Sequence, residues 1–444
     1  MKTADLKYKL LSLVSILAII IIVVVPFQGF LPIFGYHLFG HYTAFRLWDE
    51  VALLIAVIGT LVLMVIDHKI RFNTLYRRLV WVIIVYILLN LSLGLIAYVN
   101  HGVTAKALGY GLIVNLRYLL FFLITWAVAL RMSKLKNSWQ KIVIIPAIIV
   151  IVFGLLQIFI LPHDFLKYFG YGPRTIPITE TINNNSRYIR IASTLRGANP
   201  LGAYMIIPLS FVLLLLIRSK KLDWQKILFL LSGLIVLFFS FSRSAYLGAI
   251  LSFCFILLMS DLAQKHLKKI LGLFGVALVI LLLLFGLLHN NKVFQNFAFH
   301  TQTNSKVKTT SDAQHASALI DGVKAVIHNP LGKGPGTSGP ASYYNHHERN
   351  PEDYYLQIAE EDGVVGLILF LTITVGIGYI LWLRRDDPLA LFLLASLIGI
   401  SFVNLLAYAW SDDTLAYIWW GLAGIAMVTE TEVKKYTKNI PKMT

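Results

Sequence analysis

The chain contains repeated apolar runs of about 18–25 residues, the length that an α-helix needs to cross about 30 Å of hydrocarbon. Only 14% of its residues are charged and 57% are hydrophobic, whereas a soluble domain carries about 25% charged residues. The strands of a membrane β-barrel would instead be about ten residues of alternating polarity. The runs therefore exclude a soluble enzyme and a β-barrel and predict an all-α polytopic membrane protein.

About twelve transmembrane helices are predicted, with both termini in the cytoplasm. Lys and Arg are retained on the cytoplasmic side, and each short connection after an even-numbered span is basic. The first span is too long for the apolar part of a cleavable signal peptide, so it is expected to be a retained signal anchor. The predicted spans cover approximately residues 10–34, 48–66, 79–98, 107–130, 142–161, 199–217, 227–241, 244–260, 270–288, 363–382, 388–408 and 415–429.

Two long segments, residues 162–198 and 289–362, are predicted on the external face. Long loops in compact proteins are more often functional than not. The second is expected to be partly helical, with an amphipathic helix that begins near Ser311 and stops at Asn329. Its predicted buried stripe consists of Ala318, Leu319, Val323 and Ile327. We therefore predict a single integral-membrane domain over residues 1–444 with one long external loop at 289–362.

The formal charge of +17 does not indicate a nucleic-acid partner. Basic residues in a membrane protein mostly fix its orientation, and the sequence offers no soluble basic domain that could hold a nucleic acid. The expected environment is a lipid bilayer.

Arg117 lies in the sequence NLRYLL, well inside the fourth predicted span. An arginine near the bilayer centre costs about 2.5–3.5 kcal/mol on insertion scales, so it should face protein or a polar cavity. Two interpretations stay open. The residue is either a snorkelling or internally paired arginine, or an anion contact inside the helix bundle.

The segment RYIRIASTLRGANPLGAY predicts a helix start on the external face. Asn199 is a good N-cap and Pro200 suits the first helical position. The free backbone N–H groups at such a start favour anions. Arg190 and Arg196 lie just upstream, and a guanidinium offers paired donors to phosphate. The alternative is that these arginines contact lipid headgroups.

The segment SFSRSAYLGA repeats this arrangement. Arg243 lies between two apolar runs that are too short to form one span, so the chain should turn there at the external surface. Ser242 or Ser244 can cap the next helix. The alternative interpretation is an interfacial anchor at a hairpin. Two matched arginine and helix-start motifs favour one anionic ligand at the outer leaflet.

The late external loop contains NPLGKGPGTSG and then NPEDYYLQIAEEDG. The first predicts tight turns, because it lacks the pattern of a phosphate-binding loop. In the second, Glu352 and Asp353 are predicted in the first turn of a helix, where the helix dipole alone favours acidic residues; Glu352 is also a candidate general base. His346 and His347 are adjacent, which is poor spacing for metal ligands, so no metal site is predicted.

The order of these motifs resembles the O-antigen ligase and polymerase superfamily, bacterial membrane glycosyltransferases of the GT-C type, over about residues 110–385. The resemblance implies a GT-C-like fold and transfer of a glycan carried on undecaprenyl diphosphate, with no nucleotide sugar, metal or other cofactor. It also implies a lipid-linked-sugar flippase and a chain-length regulator as partners. The residues implied to hold the donor diphosphate are Arg196 and Arg243, with Arg190 and Arg117 as further candidates.

One departure from the family pattern favours a polymerase. Ligases of this superfamily commonly carry a His-Asn pair before the Tyr-Leu-Gln element, whereas this chain has Glu352-Asp353 before Tyr355. The resemblance thus implies Glu352 as the catalytic base, with Asp353, Tyr355 and His346 as candidates for contacting the acceptor. The expected product is a capsule, exopolysaccharide or O-antigen type polysaccharide, made by an inverting reaction.

Two alternatives stay open. An O-antigen ligase-like enzyme would transfer finished glycan to a lipid, a wall glycan or a protein. A polysaccharide flippase or solute transporter would carry polar residues near the midplane of many spans, whereas here they concentrate on the predicted external side.

Overall fold

The computed structural model describes residues 2–66, 74–173, 175–182, 185–219, 223–260, 311–429 and 432. Within these residues the chain forms α-helices and one short antiparallel hairpin, β1 (Glu180–Ile182) with β2 (Asn185–Arg190). The helices are α1 (Lys2–Val24), α2 (Leu31–Phe39), α3 (Tyr42–Arg46), α4 (Trp48–Ile66), α5 (Thr74–Val99), α6 (Ala105–Arg131), α7 (Ser133–Phe159), α8 (Ala198–Arg218), α9 (Trp224–Phe239), α10 (Arg243–Leu258), α11 (Ser311–His328), α12 (Tyr354–Leu383), α13 (Pro388–Val403) and α14 (Asp413–Ala426).

The apolar runs form the expected membrane helices. Among the described residues, seven helices are long and apolar enough to cross a membrane: α1, α4, α5, α6, α7, α8 and α12. Shorter apolar helices, α9, α10 and α13, lie at three further predicted spans, and α14 lies at the last one. The predicted span at 270–288 falls outside the described residues. The prediction of an all-α polytopic membrane protein is confirmed.

Four of the apolar helices are short. Helices α9, α10 and α13 have 16 residues and α14 has 14, so they are only about 21–24 Å long at 1.5 Å per residue. Residues 404–412 connect α13 to α14; Asn404 and residues 409–412 are buried, whereas Leu405 and Leu406 are 47% and 43% exposed. The carbonyl oxygen of Asn404 accepts a hydrogen bond from the backbone N–H of Tyr354 at 2.9 Å.

Helix α14 lies at the centre of the bundle and packs most extensively on α6. All of its residues are buried, and Trp419 and Trp420 pack against Trp410 in the preceding connection. Large aromatic side chains bury the most apolar area per residue. They therefore anchor the α13–α14 connection to the core.

Two glycines allow a close crossing between α10 and α13. A Cβ on Gly399 would lie 2.3 Å from the carbonyl oxygen of Gly248, and a Cβ on Gly248 would lie 2.7 Å from that of Gly399. Small residues allow membrane helices to approach this closely. The crossing brings the start of α10 beside the end of α13.

The starts of α4, α8, α10, α12 and α14 and the end of α13 lie at one end of the bundle, called here the site end. Contacts between their terminal residues show this. Arg46 before α4 pairs with Asp413 at the start of α14, Arg196 before α8 pairs with Asp412, and Tyr354 at the start of α12 bonds to the end of α13.

Helix α11 begins at Ser311 and ends at His328, as predicted, but its predicted buried stripe is wrong in part. Val323 is 48% exposed and Ile327 70% exposed. The buried position is Gly322, where a Cβ would lie 2.8 Å from the side chain of Leu356 on α12. The small residue allows the close approach, so it rather than the apolar stripe determines which face packs.

Candidate functional site

A cavity of about 280 Å³ lies at the site end and is called here the arginine cavity. Three motifs that are distant in the sequence line it together: Arg196 before α8, Ser244 in the first turn of α10 and Glu352 before α12. Asn199 and Asp412 are among its other polar lining residues. The cavity thus brings together the segments that the sequence singled out.

Arg196 is held in place by an aspartate and is still accessible from the cavity. Its Nη2 lies 3.2 Å from Oδ2 of Asp412, and its side chain is 38% exposed. Oδ1 of Asp412 accepts the backbone N–H of Thr414 at 3.0 Å and so caps α14. Burial raises the pKa of Asp412 above its ordinary value, and Arg196 offsets part of that rise. The rigid start of α14 therefore orients the guanidinium.

The start of α8 differs from the prediction. Gly197 occupies the N-cap position, and Asn199 lies within the helix. The backbone N–H of Ala198 donates to the carboxylate of Glu180 at 3.3 Å, and Oδ1 of Asn199 accepts from Arg190 at 2.5 Å. The prediction failed because the β-hairpin brings a carboxylate from outside the local sequence to this helix start.

The start of α10 contributes Ser244 to the arginine cavity. Ser242 occupies the predicted N-cap position, but its side chain makes no capping hydrogen bond. Arg243 is half-buried and lies outside the cavity lining. The pKa of Arg190 is lowered from its ordinary value, chiefly by burial, and Arg243 adds to the lowering. Arg190 and Arg243 are therefore neighbours beside the cavity.

Glu352 has a strained backbone at the edge of the arginine cavity. Its φ of 56° lies in the left-handed region, which costs a non-glycine residue about 1–3 kcal/mol and persists only where neighbours enforce it. The backbone N–H of Glu352 donates to Oδ1 of Asn350 at 3.0 Å, and Asp353 caps α12 by accepting the N–H of Leu356 at 2.8 Å. The prediction that Glu352 and Asp353 lie in the first turn is wrong, since α12 begins at Tyr354.

Tyr408 lines the cavity together with Glu352. Burial raises the pKa of Tyr408 above its ordinary value, and the negative charge of Glu352 adds to the rise. A phenol that stays protonated beside a carboxylate is a hydrogen-bond donor for a bound hydroxyl group.

Residues 227–371 match the family model for O-antigen ligase. The match confirms the resemblance to the O-antigen ligase and polymerase superfamily and implies an activity of the glycosyl-transfer type. Together with the apolar helices, it indicates a multi-pass membrane protein. The matched segment contains Arg243 and Glu352, whereas Arg196 precedes it. No curated protein matches the chain.

Arg117 has protein partners on both terminal nitrogens. Nη2 lies 2.6 Å from Oδ1 of Asp413 and donates to the carbonyl oxygen of Ser411 at 2.6 Å, and Nη1 lies 3.2 Å from Oε1 of Glu50. Its side chain is 1% exposed and does not line the arginine cavity. The structure thus favours the internally paired arginine over the anion contact.

The three residues named as acceptor contacts have other surroundings. Asp353 is the buried cap of α12, and the hydroxyl of Tyr355 donates to the carbonyl oxygen of Ser401 at 3.1 Å. His346 is exposed and lies outside the lining of the arginine cavity. Asp353 and Tyr355 therefore support the site from behind and do not face the cavity.

The carboxylates that pair with the arginines were missed from the sequence. Asp412 and Asp413 start α14, and Asp49 and Glu50 start α4. The available signal was the presence of two adjacent acidic pairs at the predicted external ends of spans in a chain with only 14% charged residues. Acidic residues are also common at helix starts for dipole reasons alone, so the pattern does not identify their partners.

The glycine-rich segment forms tight turns, as predicted. Gly332, Gly334 and Gly336 all have positive φ, which glycine adopts without steric cost. Oε1 of the buried Glu361 accepts the backbone N–H groups of Gly336 at 2.8 Å and Ser338 at 3.2 Å. This carboxylate fixes the loop to α12. Among the described residues, no group of three or more His, Cys, Asp or Glu side chains could hold a metal ion.

Proposed function

We propose that the chain is a polymerase that joins undecaprenyl-diphosphate-linked repeat units into a cell-surface polysaccharide. The observation that supports it is the arginine cavity, where Arg196, the uncapped start of α10 and Glu352 converge. In the proposed reaction a hydroxyl oxygen directly displaces the diphosphate from the anomeric carbon of a sugar. A cation and backbone N–H donors can stabilise the departing diphosphate, and a carboxylate can accept the proton of the hydroxyl.

The donor diphosphate would lie against Arg196 and the first turn of α10, with Arg243 beside it. Negative charge builds on the departing diphosphate in the transition state, and preorganised cations and N–H dipoles stabilise that charge. Arg196 is preorganised because Asp412 holds one edge of its guanidinium. The proposed contribution of Arg243 is smaller, since this residue is adjacent to the cavity lining.

Glu352 would accept the proton of the attacking acceptor hydroxyl. The oxygen then forms the new glycosidic bond as the bond to the diphosphate breaks, which inverts the anomeric centre. Tyr408 would orient the hydroxyl from the other side. The choice of polymerase over ligase rests on the glutamate at this position, where ligases of the superfamily commonly carry histidine.

The site end is proposed to face the external side of the bacterial plasma membrane, with both termini in the cytoplasm. Basic connections at the opposite end support this orientation. A flippase would then deliver the lipid-linked units and a chain-length regulator would limit the product; both partners are part of the proposal.

The test is elongation of purified lipid-linked repeat units by the protein in proteoliposomes. Glu352→Gln is expected to lower the rate by about 10²–10⁴-fold, and Arg196→Ala by about 10²–10³-fold, with a smaller loss for Arg243→Ala. Arg78→Ala is the matched control, because Arg78 is exposed near the start of α5 at the opposite end. Parental rates in all three site variants would refute the assignment.

The products of the same assay separate the alternatives. A ladder of increasing length indicates a polymerase, whereas single-step transfer of finished glycan to an added acceptor indicates a ligase. Movement of the lipid-linked unit across the bilayer without a new glycosidic bond would indicate a transporter.

A further inference from the structure

A second cavity of about 530 Å³ lies at the site end and is called here the loop cavity. Its volume falls in the range of ligand pockets, about 300–1,000 Å³. One wall is apolar and comes from the end of α5, and the other comes from α11, the glycine-rich loop and residues 345–349. The mechanism proposed above leaves this cavity without a ligand.

The polar wall of the loop cavity offers both donors and acceptors. It includes Lys333, His347 and Glu348, whose side chains have no hydrogen bond or ion pair within the part of the chain that the structure describes. Arg349 also lines it, but its guanidinium is paired with Glu360, at 2.8 Å from Nη2 to Oε1. The cations Lys333 and Arg349 are matched on this wall by the carboxylates of Glu348 and Glu360.

A balanced wall suits a neutral ligand that is rich in hydroxyl groups. Each hydroxyl of a sugar donates one hydrogen bond and accepts others, so ammonium, imidazole and carboxylate groups together can satisfy it. The unpaired polar groups of the loop cavity therefore suit a glycan.

The two cavities lie on opposite sides of the same piece of chain. Arg349 lines the loop cavity, and the next residue, Asn350, lines the arginine cavity. Consecutive Cα atoms are only about 3.8 Å apart. Similarly, Thr337 lines the loop cavity and Pro340 the arginine cavity. A glycan in the loop cavity would thus end close to Glu352.

The apolar wall indicates that the ligand reaches the loop cavity from the bilayer. Leu93 and Ile96 belong to α5, one of the helices that is long enough to span a membrane. Ile96 is 55% exposed, so the apolar side of the cavity opens toward the surface where lipid would lie. This combination fits a glycan that is attached to a lipid.

We infer that the loop cavity binds the acceptor, that is, the sugar end of the second lipid-linked glycan, while the arginine cavity holds the donor diphosphate. The inference rests on the proposed function for the identity of the reaction. The assignment of a glycan to this cavity rests on its own charge and shape.

The test fills the loop cavity and removes its free polar groups separately. Ala325→Trp places a bulky side chain in the cavity, because Ala325 is part of its lining. Val323→Trp is the matched control, since Val323 is on the same helix, is 48% exposed and lies outside the lining. The second variant, Lys333→Ala with Glu348→Gln, tests the polar wall if Ala325→Trp does not fold.

Two measurements are made on each variant in the full-length protein. The first is binding of the free repeat-unit oligosaccharide, released by mild acid from the lipid-linked pool of the producing cell. The second is transfer at a fixed donor concentration with a repeat unit on a short, water-soluble tail as acceptor. Ala325→Trp and the double variant are expected to weaken oligosaccharide binding and raise the acceptor KM by about tenfold or more, equivalent to about 1.4 kcal/mol.

The outcomes separate this inference from the proposed function. Weakened binding and a raised acceptor KM, with kcat and the control variant unchanged, support it. Parental oligosaccharide binding in both variants would overturn it even if the protein polymerises. A third outcome is that the parental protein binds the oligosaccharide but does not transfer it, and that Ala325→Trp weakens this binding. The proposed reaction would then be wrong, whereas the glycan site would be supported.

Discussion

Replacing Arg117 tests whether this arginine holds the bundle together or binds the substrate. Arg117→Ala removes a guanidinium that is 1% exposed and contacts the carboxylates of Asp413 and Glu50. Breaking a buried ion pair by removing one partner costs about 3–5 kcal/mol, because the other charge stays buried without compensation. Asp413 keeps a second partner, Arg46, at 2.5 Å. We therefore expect a loss at the lower end, about 3 kcal/mol.

This loss converts to a measurable change in melting temperature. Unfolding entropy is about 2.1 cal/mol/K per residue, which for 444 residues makes about 3 kcal/mol equivalent to a fall of about 3 °C. The figure is a lower bound for a membrane protein, because helices that stay folded in the denatured state reduce the unfolding entropy. Thermal unfolding in detergent, followed by tryptophan fluorescence, measures the change.

A charge-neutralising partner substitution distinguishes the two roles. In the structural role, adding Glu50→Gln to Arg117→Ala restores part of the lost stability, since Glu50 loses the guanidinium that it contacts at 3.2 Å, whereas Asp413 still pairs with Arg46. Lys324→Ala, an exposed cation on α11, is the control and should leave the melting temperature unchanged. Parental stability in Arg117→Ala together with lost donor binding would refute the reasoning and make Arg117 a diphosphate ligand.

Three further substitutions probe the segments around the cavities. Glu352→Gly is expected to abolish transfer without lowering the melting temperature. Glycine relieves about 1–2 kcal/mol of left-handed backbone strain, which exceeds its entropic cost of about 0.5–1 kcal/mol. A lower melting temperature would contradict the strained φ. Glu361→Ala is expected to speed tryptic cleavage of the glycine-rich loop, because Gly336 and Ser338 lose a buried acceptor worth about 1–3 kcal/mol per unsatisfied group; an unchanged cleavage rate would show that the loop is held otherwise. Asp353→Ala should lose about 1 kcal/mol of cap stability, measured by thermal unfolding, and parental stability would argue against the cap.

Membrane-helix positions could be predicted from the sequence because hydrophobic length is a local property. A span is indicated by a run of consecutive apolar residues, and the basic connections indicate its orientation in the membrane. The predicted span at 48–66 coincides with the bounds of α4, and that at 107–130 lies within α6. Helix lengths at the site end were less accurate. The span predicted at 388–408 ends at Val403, where Asn404 accepts the backbone N–H groups of Tyr354 and Trp410 and so turns the chain out of the helix.

The arginine-rich segments were predicted, but their partners were not. Glu180 caps α8 from a hairpin that precedes it, and Asp412 reaches Arg196 across 216 positions of the sequence. Such pairings depend on tertiary packing and leave no trace in local spacing. The same applies to Glu361. In the sequence it is one of three consecutive acidic residues, whereas in the structure it accepts hydrogen bonds from the backbone of the glycine-rich loop.

The contacts and burial of Arg117, Arg190 and Arg196 separate the arginines that stabilise the fold from the one that can bind a ligand. A guanidinium has five N–H donors. Arg117 is fully buried, and both of its terminal nitrogens contact protein groups. Arg190 donates hydrogen bonds to Ser240 and Asn199 and lies 3.8 Å from Glu180. Arg196 makes a single contact, to Asp412, within the described residues, and its side chain is 38% exposed into the arginine cavity. Its remaining donors are available to an anion, and the one ion pair it makes fixes their direction. Arg196 is therefore the arginine whose loss should change donor binding more than stability, the opposite of what is expected for Arg117.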